Sequence, residues 1–157
     1  MSEKTWHDYF IGMCYYVSTK SKDRSTKVGC VIVGHNHEIL SIGFNGFPRG
    51  VCDDIEERHE RPDKYRYTEH SERNAIYNAA RNGIRLDGSI IYVPWHPCTD
   101  CTRAIIQAGI RKVILDGDFQ MDEGLKSRWA DDQKIASTMF SEAGVEVYVH
   151  KKEKTNE

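Results

Sequence analysis

Two short clusters of side chains stand out for the chemistry they could do. His70-Ser71-Glu72 sets an imidazole and a carboxylate two residues apart, and Pro97-Cys98-Thr99-Asp100-Cys101 sets two thiols three apart. Each cluster opens a segment of helical spacing, so the ligating groups stand at helix N-termini. There, unpaired N–H groups and a partial positive charge favour thiolate over thiol and prepare both cysteines for zinc. Three protein ligands, His70, Cys98 and Cys101, leave the fourth tetrahedral position open to water, which separates a catalytic zinc from a closed structural one. Two thiolates and a neutral imidazole cancel the charge of the ion. It then acidifies its water less than an all-histidine site would, so a nearby base is needed, and Glu72 stands in the right place.

The same residues admit other readings. A Cys-x-x-Cys pair that follows a strand and opens a helix also suits a thioredoxin-like redox site, and Trp95 just upstream adds to that impression. His70-x-Glu72 at a second helix start weighs against it. A purely structural zinc needs a fourth ligand, for which His96 is the adjacent candidate, though it lies only two residues from Cys98. His35, His37, Cys52 and His59 have no compact ligand spacing, so no second zinc is expected. His-x-Glu followed by Pro-Cys-x-x-Cys is the signature of zinc deaminases, in which a glutamate moves protons between water, the ring nitrogen and the departing ammonia.

The elements that position these residues follow from periodicity. Trp6, Phe10, Met13, Cys14 and Val17 recur at spacings of three and four and predict an amphipathic helix over the first twenty residues. Val28–Val33 and Ile39–Phe44, joined by the turn-forming run Gly34-His35-Asn36-His37-Glu38, predict a hairpin. Residues 45–67 are polar, carry Pro48 and Pro62, and read as a long loop with at most one short helical piece, the kind of loop that serves a site. Helices are predicted over 71–82, 99–108 and 126–143, ended by Gly83, Gly109 and Gly144. Strands are predicted at 89–93, 112–115 and 145–149. This order implies a mixed five-stranded sheet with helices on both faces, in one catalytic domain over residues 1–150, followed by a disordered tail over 151–157.

Composition narrows the function classes. A chain of 157 residues, 39% hydrophobic, buries a core without disulfide staples. Twenty-two basic against 24 acidic side chains leave a net charge of −2, so no global field draws in a polyanion, and nucleic acid is not an expected partner. Met1-Ser2-Glu3-Lys4 and the chain beyond it hold no apolar run suited to a signal or membrane span, which predicts a cytoplasmic protein. Five cysteines, an odd number, suit metal binding or reactivity in a reducing compartment.

Five separated motifs carry a family resemblance: Ser21-Lys22-Asp23; Val28-Gly29-Cys30-Val31-Ile32-Val33; Gly43-Phe44-Asn45-Gly46-Phe47-Pro48-Arg49-Gly50; His70-Ser71-Glu72-Arg73-Asn74-Ala75-Ile76; and Pro97-Cys98-Thr99-Asp100-Cys101 through Gly109-Ile110. In this order they make the chain similar to the deoxycytidylate deaminases of the zinc-dependent cytidine deaminase superfamily. The resemblance implies a three-layer α/β/α fold, one Zn2+, hydrolysis of dCMP to dUMP and ammonia, and a homo-oligomer, often a hexamer, regulated by dCTP and dTTP. It places His70, Cys98 and Cys101 on the zinc ligands, Glu72 on the proton shuttle and Asn45 on the asparagine that bonds the sugar hydroxyl. Asn45 also reads as a plain turn residue. The Ser71 N–H, at a helix start, suits the pyrimidine carbonyl.

Of the cations near the motifs, Arg24 and Lys27 are the expected phosphate contacts, with solvated surface charge as the alternative. The chain departs from the family pattern in three places. Ser71 replaces the usual alanine, Phe44 replaces a tyrosine linked to nucleotide regulation, and residues 116–132 are longer and more acidic, which bears on the substrate lid. Competing functions are a deaminase acting on dCTP or a 5-substituted deoxycytidine nucleotide, and a non-catalytic, zinc-stabilised nucleotide-binding module. An intact Glu72 argues against the second, since binding alone requires no proton shuttle.

Overall fold

A computed structural model describes residues 5–152. Thr5 caps the first helix, α1 (Trp6–Ser18), through a reciprocal capping box with Asp8. A hairpin follows, β1 (Gly29–Val33) and β2 (Ile39–Phe44). The 45–67 loop holds a 3-10 turn over Glu56–His59 and the short helix α2 (Lys64–Tyr67), two helical pieces where one was expected. Then come α3 (Ser71–Arg81), β3 (Ile90–Val93), α4 (Thr99–Gln107), β4 (Lys112–Asp116), α5 (Glu123–Glu142) and β5 (Glu146–His150). Helix α5 begins three residues before its expected start because Asp122 accepts the Leu125 N–H and caps it. Most of the expected tail, residues 153–157, lies outside the described residues. Among the described residues no helix is long and apolar enough to cross a membrane.

The strands form one sheet in the order β2-β1-β3-β4-β5. β1 is antiparallel to both β2 and β3, whereas β3, β4 and β5 run parallel, so the sheet is mixed. Alternation along the inner strands splits their side chains between two cores. Val31, Val33, Tyr92 and Ile114 pack under α1 against Phe10, Ile11, Cys14 and Val17. Cys30, Ile32, Ile91, Val93, Val113 and Leu115 face the other way, against Ala75 and Ala79 of α3, Ile105 of α4 and Phe140 of α5. The result is a three-layer α/β/α sandwich. Trp6 departs from the expected helical stripe. Standing at the first residue of α1, it is 53% exposed and stacks on His37 of the hairpin turn, while Ile11 takes the buried place.

Helix α3 lies close on the edge strand. Its Asn74 and Asn78 amides donate to the Phe44 and Ile42 carbonyls at 2.8 and 2.7 Å, occupying acceptors that an edge strand would otherwise offer to another chain. In return the Ser41 hydroxyl donates to the Ala75 carbonyl at 2.7 Å. The approach is possible because residue 43 is glycine. A Cβ there would stand 2.3 Å from the Ser71 oxygen and 2.4 Å from the Ala75 nitrogen, both backbone atoms that cannot move alone. Gly43→Ala is therefore expected to destabilise the fold by about 1–3 kcal/mol or more, as overpacking does. In a chain of this size that lowers Tm by about 2–4 °C per kcal/mol. Thermal unfolding followed by circular dichroism checks it, and an unchanged Tm would show that α3 can lift from β2 freely.

Candidate active site

His70 is the N-cap of α3 and Cys98 the N-cap of α4, both in extended backbone, and Cys101 lies in the first turn of α4. The His70 Nδ1 atom is 3.4 Å from the Cys98 sulfur and 3.5 Å from the Cys101 sulfur. All three ligand atoms lie within 4.8 Å of one another. A tetrahedral zinc with ordinary bond lengths would separate nitrogen from sulfur by about 3.6 Å. The donor set and its spacing thus fit zinc, with Nδ1 as the histidine donor. His96 does not join the set: Nδ1 faces the Pro97 carbonyl and Nε2 the Ser137 hydroxyl.

The thiols are already polarised. A hydrogen bond from the Cys101 thiol, helped by His70 and opposed by burial, brings the Cys98 thiol down to about 4. The same bond, together with burial, pushes the Cys101 thiol up. A zinc ion binds thiolate, so metal binding here would release thiol protons. The bond to Cys98 raises the His70 pKa against the effect of burial. Beside them, Arg73 forms ion pairs with Glu69 and, at 3.4 Å, with Asp100. Burial works against its charge, but the neighbouring thiols and Glu69 outweigh it.

His70 and Cys98 line a cavity of about 110 Å3. Glu72, in the first turn of α3, is 3% exposed, and its Oε2 accepts the Ser71 hydroxyl at 2.9 Å. Asn45 also lines the cavity, but its amide is partly engaged: Oδ1 accepts the Val28 N–H and Nδ2 donates to the Thr26 carbonyl, each at 2.8 Å. One lone pair and one N–H remain for a ligand. The segment it holds is fixed again at Asp23, whose buried carboxylate pairs with Lys64 at 2.8 Å and accepts the Ser25 and Thr26 N–H groups.

The expected phosphate contacts are not brought into the cavity. Arg24 is exposed and ion-paired with Glu56, and Lys27 is exposed outside the lining. The cations that line it are Arg61, from the long loop, Arg128, from α5, and Lys64, already neutralised by Asp23. Sequence reading passed over Arg61 and Arg128, along with Tyr65 and Trp129, because the long loop has no period from which to read direction. For α5 a signal existed: Leu125, Arg128, Trp129, Asp132 and Gln133 recur at helical spacing.

Purified protein is expected to carry about one zinc per chain, since folding preorganises the three ligands. Cys98→Ala and Cys101→Ala should each lose it, as measured by elemental analysis after dialysis. Full zinc retention in either variant would remove that cysteine from the ligand set.

Known proteins share this architecture and these motifs. The model of the cytidine and deoxycytidylate deaminase zinc-binding region matches residues 4–116. An uncharacterized deaminase in the luxG 3′ region of Aliivibrio fischeri is 44% identical over 142 residues, covering 90% of this chain and 91% of that protein. The deoxycytidylate deaminase of Homo sapiens is 35% identical over 145 residues, covering 89% and 76%. Among solved structures, the dCMP deaminase of cyanophage S-TIM5 in complex with dCMP and dUMP is similar with a TM-score of 0.73, at 27% identity over 96% of this chain and all of that one. With the His-x-Glu and Cys-x-x-Cys clusters brought together at two helix starts, and with a family model that spans most of the sheet, the chain belongs to the cytidine and deoxycytidylate deaminase family of zinc enzymes.

Proposed function

We propose that the chain hydrolyses dCMP to dUMP and ammonia, with zinc on His70, Cys98 and Cys101 and with Glu72 as proton carrier. The observation that carries this reading is a nearly inaccessible carboxylate, Glu72, lining the cavity beside the three-ligand cluster. Bound there, zinc supplies the Lewis acidity that makes a water nucleophilic near neutral pH. Glu72 accepts the proton that this water loses as its oxygen bonds to C4 of the cytosine, and passes it to N3. It then carries the second proton from the new hydroxyl to the exocyclic nitrogen, the C4–N bond breaks, and ammonia leaves a uracil ring. The Ser71 hydroxyl holds Oε2, which leaves Oε1 to do the carrying. The Ser71 N–H at the start of α3 suits the pyrimidine O2, and the free valences of Asn45 suit the sugar hydroxyl.

For the phosphate, Arg61 and Arg128 replace Arg24 and Lys27, since they line the cavity from two separate elements. Assembly into a homo-oligomer is supported by aromatic side chains left open on α1, with Tyr9 50% and Tyr16 79% exposed. Phe44, exposed at the end of β2, stands at the position linked in the family to nucleotide regulation, and its departure from tyrosine argues against control by dCTP or dTTP. Five free thiols suit a reducing, cytoplasmic setting.

Glu72→Gln should keep zinc and fold while losing nearly all turnover, because the amide preserves size and removes the base. Ammonia release within tenfold of the parent would exclude the proton-carrying role. A charge-assisted phosphate contact is worth roughly 1.5–3 kcal/mol, so kcat/KM for dCMP should exceed that for deoxycytidine by about tenfold to hundredfold. Arg61→Ala and Arg128→Ala should each erode that ratio, while Arg24→Ala should not. Assaying deoxycytidine, dCMP, dCTP and 5-substituted dCMP side by side checks it, and equal use of nucleoside and nucleotide would refute a phosphate site.

A further inference from the structure

One face of α5 carries two kinds of residue. Leu125, Arg128, Trp129, Asp132 and Gln133 line the cavity, and along the same stripe Ala136 and Phe140 are the buried residues of the helix. Core packing therefore anchors the C-terminal part of α5, and the cavity-facing part needs another tie. Where the helix crosses the zinc-binding turn, Asp132 supplies one. Its Oδ2 accepts the Thr99 N–H and its Oδ1 accepts the Thr99 hydroxyl, both at 2.9 Å. Thr99 follows Cys98 and is the first residue of α4, so the carboxylate satisfies an orphan donor at the positive end of that helix. The same first turn directs the Cys101 N–H to the Cys98 sulfur at 3.5 Å. Two acceptors on two donors of a single residue fix both the height and the rotation of the turn.

We propose that Asp132 is a positioning residue that latches the cavity wall of α5 to the Cys98–Cys101 turn, so that one carboxylate sets both zinc retention and substrate fit. Asp132 acts through Thr99 rather than on the reacting atoms. Without it the Thr99 N–H is left to water, the turn gains freedom around the two sulfurs, and the Leu125–Trp129 wall loses its polar tie to the metal side of the cavity. The zinc part rests on the ligand assignment above, and the substrate part on the dCMP reading.

The test compares the zinc-loaded parent with Asp132→Ala, Asp132→Asn and Asp131→Ala, the last an exposed neighbour of equal charge. Zinc release to a colorimetric chelator is followed well below the Tm of each protein, and KM and kcat are measured for dCMP. Asp132→Ala should release zinc about tenfold faster or more, the effect typical of a lost partner behind a metal ligand, and should raise KM more than it lowers kcat. Asp132→Asn, which keeps an acceptor for the Thr99 N–H, should recover much of both, and Asp131→Ala should match the parent. A lower Tm for Asp132→Ala with zinc release and KM within twofold of the parent would reduce Asp132 to a helix cap and overturn the proposal. Faster zinc release with unchanged KM would overturn the coupling to the wall. If the parent does not turn over dCMP, the functional reading fails, while zinc release still decides the latch.

Discussion

His70 and Cys98 are 28 residues apart in the chain, yet their ligand atoms and that of Cys101 must meet within 4.8 Å. Each ligand belongs to the start of a different helix or to its first turn, so the requirement falls on the placement of α3 against α4. The sheet meets it from both sides. Helix α4 leaves the carboxyl end of β3, a central strand, and inherits its position. Helix α3 has no strand leading directly into it, and is placed instead by contact. Gly43 lets its backbone down onto β2, and the Cys30 thiol and Ser41 hydroxyl hold the Ser71 and Ala75 carbonyls at 3.1 and 2.7 Å. Core packing sets the layer, and these polar contacts set the height within it.

Two helix starts facing one point concentrate positive potential there, and the chain balances it with sulfur and carboxylate. Cys98 takes the Cys101 N–H, Asp132 takes the Thr99 N–H, and Glu72 lies in the first turn of α3. Arg73 then compensates on the far side of the thiols, itself clamped between Glu69 and Asp100. A single charged group in such a place would be costly to bury. Arranged as neighbours of opposite sign, these groups share the desolvation.

Much of this was legible because it is local. The hairpin, the inner strands and the helix ends followed from β-branched runs and from Gly83, Gly109 and Gly144, whose positive φ angles confirm the left-handed stops. The two ligand clusters were legible for the same reason: each lies within five residues of sequence. What escaped depends on contacts across the chain. Arg24 stands beside a family motif, yet its charge turns to Glu56, 32 residues on. Arg61 reaches the cavity from a loop with no period. Asn45 reads as a turn residue or a ligand contact, and its amide also staples the 26–28 segment from within the core.

Ser71 shows how one such local departure changes the site. Where the family usually carries alanine, a buried hydroxyl here stands 2.9 Å from Glu72 Oε2. A carboxylate proposed to accept a proton on one side and deliver it on another gains from being held, since each lost rotamer is ordering that substrate need not supply. On the reading proposed for Glu72, the hydroxyl divides the two carboxylate oxygens between orientation and transfer. The same helix start sends the Ser71 carbonyl down to Cys30, and so ties that division to the strand beneath it.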